Sequence, residues 1–390
     1  MVALLESTGG SIGASETSFF ELGSLDEPLK LRSGETLGPV TLAYETYGTL
    51  DRDAGNAILL FHALTASQHA AGYTARVEGV GELWNEECRE GWWNLFIGPG
   101  LALDTDRFFV VCANYLGGCY GSSGPTSLSP VTGHPYRASF PRIHLCDTVD
   151  SQMRLLDHLG IERLHAAIGN STGGMASLSL ATRYPDRVER VIPAASGLLT
   201  TPLQKAHNFE QILAIENDPA FLGGDYALGE GPDRGLSLAR MISHKSFVSL
   251  RDLEDRSRSE IQQALPESHW YDIEHEIESY MLHQGNKLPP RFDANSYLRI
   301  LYAWQSFDIL ADAGVESFAE LFAGCSDQCY LVFTIDSDAS FYAEEQSHLV
   351  AQLDEAGIEN LHVTVHSEKG HDSFLLEPEL FTPRLQRFLA

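Results

Sequence analysis

The sequence predicts an α/β fold in which a mostly parallel sheet is flanked by helices and a helical lid is inserted into the chain. Short apolar runs, which are typical of buried parallel strands, alternate with segments whose apolar residues have helical spacing. This alternation is missing from residues 196–312 and resumes after them. Ligands bind such doubly wound sheets at the carboxyl ends of the strands, so we expect the functional residues in the loops that follow the strands.

The individual elements follow from the same patterns. The runs NAILLFH and RFFVVCAN each predict a buried strand, and LCDTVDSQMRLLDHLG predicts an amphipathic helix. Strands are predicted at residues 56–62, 107–114, 164–168, 188–193, 329–336 and 361–366. Helices are predicted at residues 145–160, 172–184 and 343–357, followed by a last helix that Pro378 and Pro383 break.

The inserted lid is predicted from three segments with amphipathic helical spacing: HNFEQILAIEND, GLSLARMISHKSF and WYDIEHEIESYMLHQG. No internal repeat or Gly-, Pro- or Ser-rich linker separates independent domains. We therefore expect one core built from residues 1–195 and 313–390, with residues 196–312 as its lid.

The charge balance restricts the classes of partner. The chain has 26 Lys plus Arg against 54 Asp plus Glu, a formal net charge of -28. Such a field repels nucleic acid and anionic lipid, so neither is expected as a partner. The N-terminus lacks the basic start and apolar stretch of a signal peptide, and no window of about 18 uncharged apolar residues follows. These features predict a cytoplasmic protein.

The cysteines and histidines favour neither disulfides nor a metal. Six cysteines are sparse in a chain of this length, and the only close pair, Cys325 and Cys329, lacks neighbouring ligands. There is no H-E-x-x-H and no C-x2-C among the 15 histidines and six cysteines. We expect reduced thiols and no metal site.

The most informative motif is GNSTG at residues 169–173. It is a G-x-S-x-G between the apolar strand LHAAI and the helix TGGMASLSLATRY. In a nucleophile elbow the serine occupies a strained turn, and the flanking glycines avoid collisions with the neighbouring strand and helix. The alternative is an ordinary glycine-rich turn. The strand-turn-helix context favours the elbow, with Ser171 as nucleophile in an α/β-hydrolase fold.

A serine nucleophile needs a base and an acid later in the chain, in the order Ser, Asp, His. His371 lies in the loop EKGHDSF after a predicted strand, and we interpret it as the base rather than a solvated loop histidine. Asp336 and Asp338 both follow the strand CYLVFTI, and spacing alone does not separate them. The oxyanion hole should combine the backbone N–H of Thr172 with that of Leu64 in the loop after the first predicted strand.

Several longer segments together resemble the homoserine O-acetyltransferase family. They are HALTASQHAAG, WWNLFIGPGLALDTDRFFVVCANYLGGCYGSSGPTS, GLSLARMISH, RFDANSYL and GHDSFL. The similarity spans nearly the whole chain, and the block at residues 92–127 is far more specific than a G-x-S-x-G. The resemblance therefore narrows the function as well as the fold.

The resemblance implies an enzyme that transfers an acyl group from coenzyme A to the hydroxyl of homoserine, through an acyl-serine, in methionine biosynthesis. It implies Ser171, Asp338 and His371 as the triad, since the family's S-D motif matches Ser337-Asp338. Acetyl-CoA, or another acyl-CoA, is then a co-substrate, and no tightly bound cofactor is expected. A homodimer formed through the lid helices is also implied.

The resemblance further implies two substrate-binding residues. Arg240 aligns with the arginine that holds the amino acid's carboxylate, and Asp372 aligns with the aspartate that faces its ammonium group. Each also has a structural interpretation: Arg240 as a helix-surface residue paired with acidic neighbours, and Asp372 as the N-cap of the last helix.

The chain departs from the family pattern at three places. Asn170 replaces the second glycine of the elbow G-G-S-x-G-G-M. Phe247 stands where the family generally has a tyrosine, so it cannot donate a hydrogen bond. The stretch ASFYAEE after Asp338 lacks the family's usual bulky residue and proline. These departures leave open a serine or other hydroxylated acceptor, a succinyl donor, or water as acceptor in an esterase; a non-catalytic member would instead have lost a triad residue.

Overall fold

A computed structural model describes residues 12–257 and 270–390. The main feature of this described part is an eight-stranded sheet. Its strands are β1 (Ser18–Leu22), β4 (Val40–Tyr47), β5 (Ala57–Phe61), β6 (Phe109–Ala113), β7 (Leu164–Asn170), β8 (Val188–Ala194), β9 (Cys329–Ile335) and β10 (Glu359–Val365). They lie in the order β1-β4-β6-β5-β7-β8-β9-β10. A separate pair is formed by β2 (Leu29–Lys30) and β3 (Thr36–Leu37).

The sheet is parallel from β6 to β10 and antiparallel at the other edge. β4 runs antiparallel to both β1 and β6, whereas every pair from β6 across to β10 is parallel. The six strands expected from the apolar runs are all present. The fold class predicted from the sequence, a mostly parallel sheet flanked by helices, is therefore confirmed.

Two apolar cores cover the two faces of the sheet, as the burial of β5 illustrates. Leu59 and Phe61 pack into the larger core, while Ile58 and Leu60 pack into the smaller one on the opposite face. Successive side chains of a strand point to opposite faces, so a strand buried on both sides is apolar throughout. This is why β5 appears in the sequence as an uninterrupted apolar run.

The helices lie between the strands and in one long insertion. The core helices are α1 (Leu145–His158), α2 (Thr172–Arg183), α10 (Ala343–Glu355), α11 (Ser373–Leu376) and α12 (Pro378–Phe388). Between β8 and β9 lie α3 (Pro202–Glu216), α4 (Asp233–Phe247), α5 (Leu250–Arg256), α6 (Glu276–Asn286), α7 (Ala294–Gln305), α8 (Ile309–Ala313) and α9 (Phe318–Phe322). None of the helices within the described ranges is both long and apolar enough to cross a membrane.

Two helix predictions need correction. The segment beginning WYDIEHE is not helical from its start, because α6 begins only at Glu276. The last helix is broken once and not twice: α11 ends at Leu376 and α12 begins at Pro378, as predicted, but Pro383 lies inside α12. Pro383 and Glu379 are both exposed, so water can satisfy the carbonyl that loses its partner when the proline N–H is missing.

Candidate active site

Ser171 forms a sharp turn between β7 and α2. Its backbone has φ 59° and ψ -127°, which places a non-glycine residue in a rarely populated region. Its N–H donates to the carbonyl of Ala194 at the end of β8, 2.9 Å away, so the neighbouring strand holds the strained residue in place. A strained serine between a strand and a helix is the geometry expected of a nucleophile elbow.

The glycines around Ser171 permit close approaches that no side chain allows. A Cβ on Gly169 would lie 2.0 Å from the carbonyl oxygen of Gly173, and one on Gly173 would lie 2.4 Å from that of Phe61. A Cβ on Gly174 would lie 2.5 Å from the Cβ of Ser196. Gly169 and Gly173 thus let the turn close, and Gly174 lets α2 approach the chain after β8.

His371 and Asp338 form a buried pair. The Nδ1 atom of His371 lies 2.6 Å from Oδ2 of Asp338, and both side chains are almost fully buried. The backbone N–H groups of Ser340 and Phe341 donate to the other carboxylate oxygen of Asp338 at 2.7 and 2.9 Å. A carboxylate only accepts, so the Nδ1 atom carries a proton, and in the neutral form of the ring Nε2 is left with its lone pair.

The second candidate acid, Asp336, has a different partner. Its carboxylate lies 2.7 Å from Nδ1 of His366, whose side chain is 82% exposed. The structure thus brings Asp338, and not Asp336, to His371.

The Nε2 atom of His371 is buried and has no hydrogen-bond partner among the described residues. The imidazole lies among three aromatic rings, with centroid distances of 5.8 Å to Phe247, 5.5 Å to Phe341 and 5.0 Å to Phe374. These rings exclude water from the imidazole and fix its orientation. The nitrogen is therefore available to a reacting group.

The loop after β5 carries the predicted oxyanion donor Leu64 and is held by His62. Nδ1 of His62 donates to the carbonyl of Ala63 at 2.8 Å, and Nε2 accepts from the N–H of Tyr115 at 3.3 Å. Burial lowers the pKa of His62 to about 4, so the ring is neutral near pH 7, as these two bonds require. Because Gly173 packs on the last residue of β5, this loop begins beside the N-terminus of α2, where the other predicted donor, Thr172, lies.

Four of the predicted site residues each follow a strand of the parallel part of the sheet. Leu64 comes after β5, Ser171 after β7, Asp338 after β9 and His371 after β10. The carboxyl ends of parallel strands lie at the same edge of a sheet. The fold therefore gathers residues that are far apart in the sequence at one edge.

Arg240 and Asp372 lie beside the buried pair. The guanidinium of Arg240 is 5.4 Å from the ring centroid of Phe247, the same ring that stacks on His371. Burial raises the pKa of Asp372, and the charge of Arg240 opposes that rise, so the two groups are near each other. No described carboxylate forms an ion pair with Arg240, and Asp372 occupies an N-cap position without a capping hydrogen bond from its side chain. The contacts of these two side chains therefore match neither the ion pairing with acidic neighbours considered for Arg240 nor the helix capping considered for Asp372.

Comparison with known proteins places the chain in a family. Residues 56–345 match the family described as alpha/beta hydrolase fold. A homoserine O-acetyltransferase from Solidesulfovibrio magneticus is 39% identical over 383 residues, which cover 98% of this chain and 94% of that protein. The chain belongs to the homoserine O-acetyltransferase family. The predicted resemblance is thereby confirmed.

Solved structures agree with this assignment. The crystal structure of homoserine O-acetyltransferase from Bacillus anthracis has a TM-score of 0.84 and 28% identity, covering 96% of this chain and 97% of that one. An acetylester hydrolase from Corynebacterium glutamicum has a TM-score of 0.74 at 23% identity, covering 97% and 96% of the two chains. The second likeness concerns the fold alone.

Two of the residues at which this chain departs from the family pattern lie near the predicted catalytic residues. Asn170 is buried at the end of β7, and its side-chain nitrogen has no partner among the described residues. Phe247 offers ring faces to both Arg240 and His371 but no hydroxyl. Both changes lie close to the reacting groups, so they alter the pocket without removing any member of the predicted triad.

Two functional candidates escaped the sequence reasoning. Arg291 lines a cavity of about 230 Å³ together with Arg240 and Thr65. Glu345 hydrogen-bonds to Gln204, and burial raises its pKa to about 7. Arg291 lies in RFDANSYL, a segment that resembles the family, and this resemblance could have pointed to it. Nothing in the local sequence marks Glu345.

The described residues contain no cluster of His, Cys, Asp and Glu able to hold a metal. The expected lack of a metal stays a prediction.

Proposed function

We propose that this protein is an acyl-CoA-dependent homoserine O-acetyltransferase that forms an acyl-enzyme on Ser171. The observation that carries the proposal is the buried His371–Asp338 pair, whose free Nε2 lies on the sheet edge where the strained Ser171 also stands. Membership of the homoserine O-acetyltransferase family supports acetyl-CoA as donor and L-homoserine as acceptor.

In the first half-reaction Oγ of Ser171 attacks the thioester carbonyl of acetyl-CoA while Nε2 of His371 takes the hydroxyl proton. The oxyanion that forms accepts hydrogen bonds from the backbone N–H groups of Leu64 and Thr172. The C–S bond then breaks, and His371 returns the proton to the departing sulfur. The products are free coenzyme A and an acetyl ester on Ser171.

In the second half-reaction the homoserine hydroxyl takes the place of the thiol. His371 removes its proton, the hydroxyl oxygen attacks the acetyl ester, and the tetrahedral intermediate again uses the two backbone donors. When it collapses, His371 protonates Oγ of Ser171 and O-acetyl-L-homoserine is released. Asp338 keeps the proton on Nδ1 through both steps and stabilises the imidazolium that forms.

Acceptor recognition is assigned to Arg240 and Asp372. The guanidinium of Arg240 is held over Phe247 and has no described ion-pair partner, so it is free to bind the carboxylate of homoserine. Asp372 directly follows His371 and has no capping bond to make, so its carboxylate can face the ammonium group.

The cellular setting is part of the same proposal. Acetyl-CoA is a cytoplasmic co-substrate, and O-acetylhomoserine formation serves methionine biosynthesis. A homodimer through the lid is supported by apolar side chains on the outer faces of α4 and α6, where Leu238 is 47% and Ile277 is 36% exposed. Light scattering of the wild type and of Leu238→Asp tests this assembly: a dimer that the substitution dissociates is expected, and a monomeric wild type would refute it.

The function is tested by release of free thiol from acetyl-CoA in the presence and absence of L-homoserine. We expect homoserine to accelerate release, and L-serine and succinyl-CoA to be poor replacements for acceptor and donor. Ser171→Ala should release no thiol above background. Thiol release that is equally fast without acceptor would identify a hydrolase, and acceleration by serine alone would identify a different acceptor.

A further inference from the structure

The cavity beside the oxyanion loop contains two arginines. Arg240 and Arg291 both line it, together with Thr65, Trp92 and Tyr120. Arg291 belongs to the turn before α7, and Arg240 belongs to α4, so separate parts of the insertion bring the two cations to one space. Thr65 directly follows Leu64, and Arg240 lies against Phe247, the ring that stacks on His371. The cavity is therefore lined by neighbours of the predicted catalytic residues.

The guanidinium of Arg291 is fixed in place and only partly neutralised. One of its terminal nitrogens donates to the carbonyl of Thr65 at 3.1 Å and to the hydroxyl of Tyr120 at 3.2 Å. Its side chain is 18% exposed, and among the described residues it pairs with the carboxylate of Glu87, which is 45% exposed and 3.7 Å from Nε. Glu87 also pairs with Lys287 at 3.6 Å. Such a shared, solvated contact neutralises a buried cation weakly.

Two arginines that face one small cavity repel each other. Burial and the charge of Arg291 together lower the pKa of Arg240, so the repulsion is felt at that side chain. The pKa of Arg291 itself is raised, because the neighbouring Tyr120, Cys88 and Glu87 side chains outweigh the effect of its burial. An anion placed between them would relieve it and would accept hydrogen bonds from both guanidinium groups. The two guanidinium groups are thus arranged for a ligand carboxylate rather than for mutual stability.

We infer that Arg291 is a second specificity-determining residue, which binds the carboxylate of the amino-acid acceptor together with Arg240. This inference rests on the proposed function and deepens it. Because Arg291 is also bonded to the loop that carries Leu64, an acceptor held by its carboxylate is placed in a fixed relation to the oxyanion donors. Amino alcohols that lack the carboxylate should then be rejected.

The test compares L-homoserine with the aminopropanol that equals homoserine without its carboxylate, 3-amino-1-propanol. In the wild type kcat/KM should strongly favour homoserine. Arg291→Gln should lower kcat/KM for homoserine by about tenfold to a hundredfold, the usual loss for a charged hydrogen bond, and should lower it far less for aminopropanol. Arg291→Lys keeps the charge but loses the paired hydrogen-bond donors of the guanidinium, so it should retain part of the preference for homoserine over aminopropanol.

A matched control separates recognition from folding. Arg299→Gln removes another partly buried arginine, which donates to the carbonyls of Phe140 and Ala138, and it should leave the preference for homoserine unchanged. Equal losses for both acceptors in Arg291→Gln would overturn the inference and leave the proposed function intact. A wild type that does not prefer homoserine to aminopropanol would instead count against the proposed function.

Discussion

In the proposed mechanism, His371 depends on the hydrogen bond that Asp338 accepts from its Nδ1 atom. In Asp338→Asn the amide group can offer a donor to Nδ1 and thereby favour the wrong tautomer, in which Nε2 carries the proton. We expect kcat to fall by about a thousandfold to ten-thousandfold, as in other serine triads, with little change in the free energy of unfolding. Steady-state thiol release and urea unfolding measure the two quantities.

Asp336→Asn is the matched control for this substitution. Asp336 is two residues away and also pairs with a histidine, but that histidine is exposed. Its substitution should leave kcat within a factor of about two, because surface pairs contribute little. If Asp336→Asn were as damaging as Asp338→Asn, the assignment of the acid would be wrong.

At the residue scale, the nucleophile elbow and the order of the triad residues could be predicted from the sequence, but the side-chain contacts could not. Asp336 and Asp338 follow the same strand, and only the direction of each side chain separates them. Arg291 is 51 residues from Arg240 in the numbering of the sequence. The folding of the insertion, which spacing does not encode, brings the two to one cavity.

The elbow depends on a close contact between α2 and β5. Gly173→Ala would place a Cβ 2.4 Å from the carbonyl oxygen of Phe61, so the helix must move away from the strand. We expect a loss of about 1–3 kcal/mol in unfolding free energy and a large loss of activity. Thermal unfolding and thiol release measure these effects.

Gly55→Ala is the comparison for this glycine. The three atoms nearest to a Cβ at Gly55 would all belong to the Asp53 side chain, at 3.5 Å or more, which is ordinary contact. Stability and activity should therefore be nearly unchanged. An equally stable and active Gly173→Ala variant would show that the packing of the elbow is not as close as described.

Glu345 joins the insertion to the core. It lies on α10, accepts from Gln204 of α3 at 3.2 Å, and has its pKa raised to about 7 by burial, with a smaller contribution from the charge of Asp338. The folded state then keeps a proton that the unfolded state releases near the ordinary value of 4.5. Stability should therefore fall as the pH rises from about 4.5 to about 7.

Glu345→Gln removes this titration while keeping the shape of the side chain. Its unfolding free energy, measured by urea at several pH values across that window, should lose the decline seen in the wild type. Glu344→Gln, at an exposed neighbouring position, should keep the decline. The same pH slope in the wild type and in Glu345→Gln would contradict the role given to Glu345.

At the element scale, strands buried on both faces were the easiest to predict. β5 is apolar throughout and β7 is buried along almost its whole length, whereas β1 has mostly exposed or half-buried residues and the burial of β4 varies along the strand. A weak pattern at a sheet edge depends on pairing with distant residues, so the antiparallel edge was not anticipated. The start of α6 was missed because apolar spacing does not fix where a helix begins.

The whole molecule carries a net charge of -28. Repulsion among like charges destabilises a compact chain, and salt screens it. We expect Tm to rise as NaCl is added, with most of the gain below about 0.15 M, where the Debye length falls to about 8 Å. A neutral osmolyte at equal osmolality controls for water activity. A Tm that is independent of low salt would mean that the charges are already balanced locally.

At the scale of the whole molecule, the strand order and the antiparallel edge emerged only from the structure. Alternating strands and helices predict a parallel sheet, but they do not say which strands are neighbours. The order places β5, β7, β9 and β10 in one continuous parallel sheet. The loops after these strands therefore meet at one edge, and the central claim is that they form a single acyl-transfer site.

Acetylation of Ser171 tests this claim most directly. The protein is mixed with acetyl-CoA, quenched, digested and analysed by mass spectrometry, with and without a chase of L-homoserine. We predict one acetyl group on the peptide that contains Ser171, its disappearance after the chase with formation of O-acetylhomoserine, and no label in Ser171→Ala. A wild-type protein that makes O-acetylhomoserine while Ser171 is never acetylated, or a label that homoserine does not remove, would contradict it.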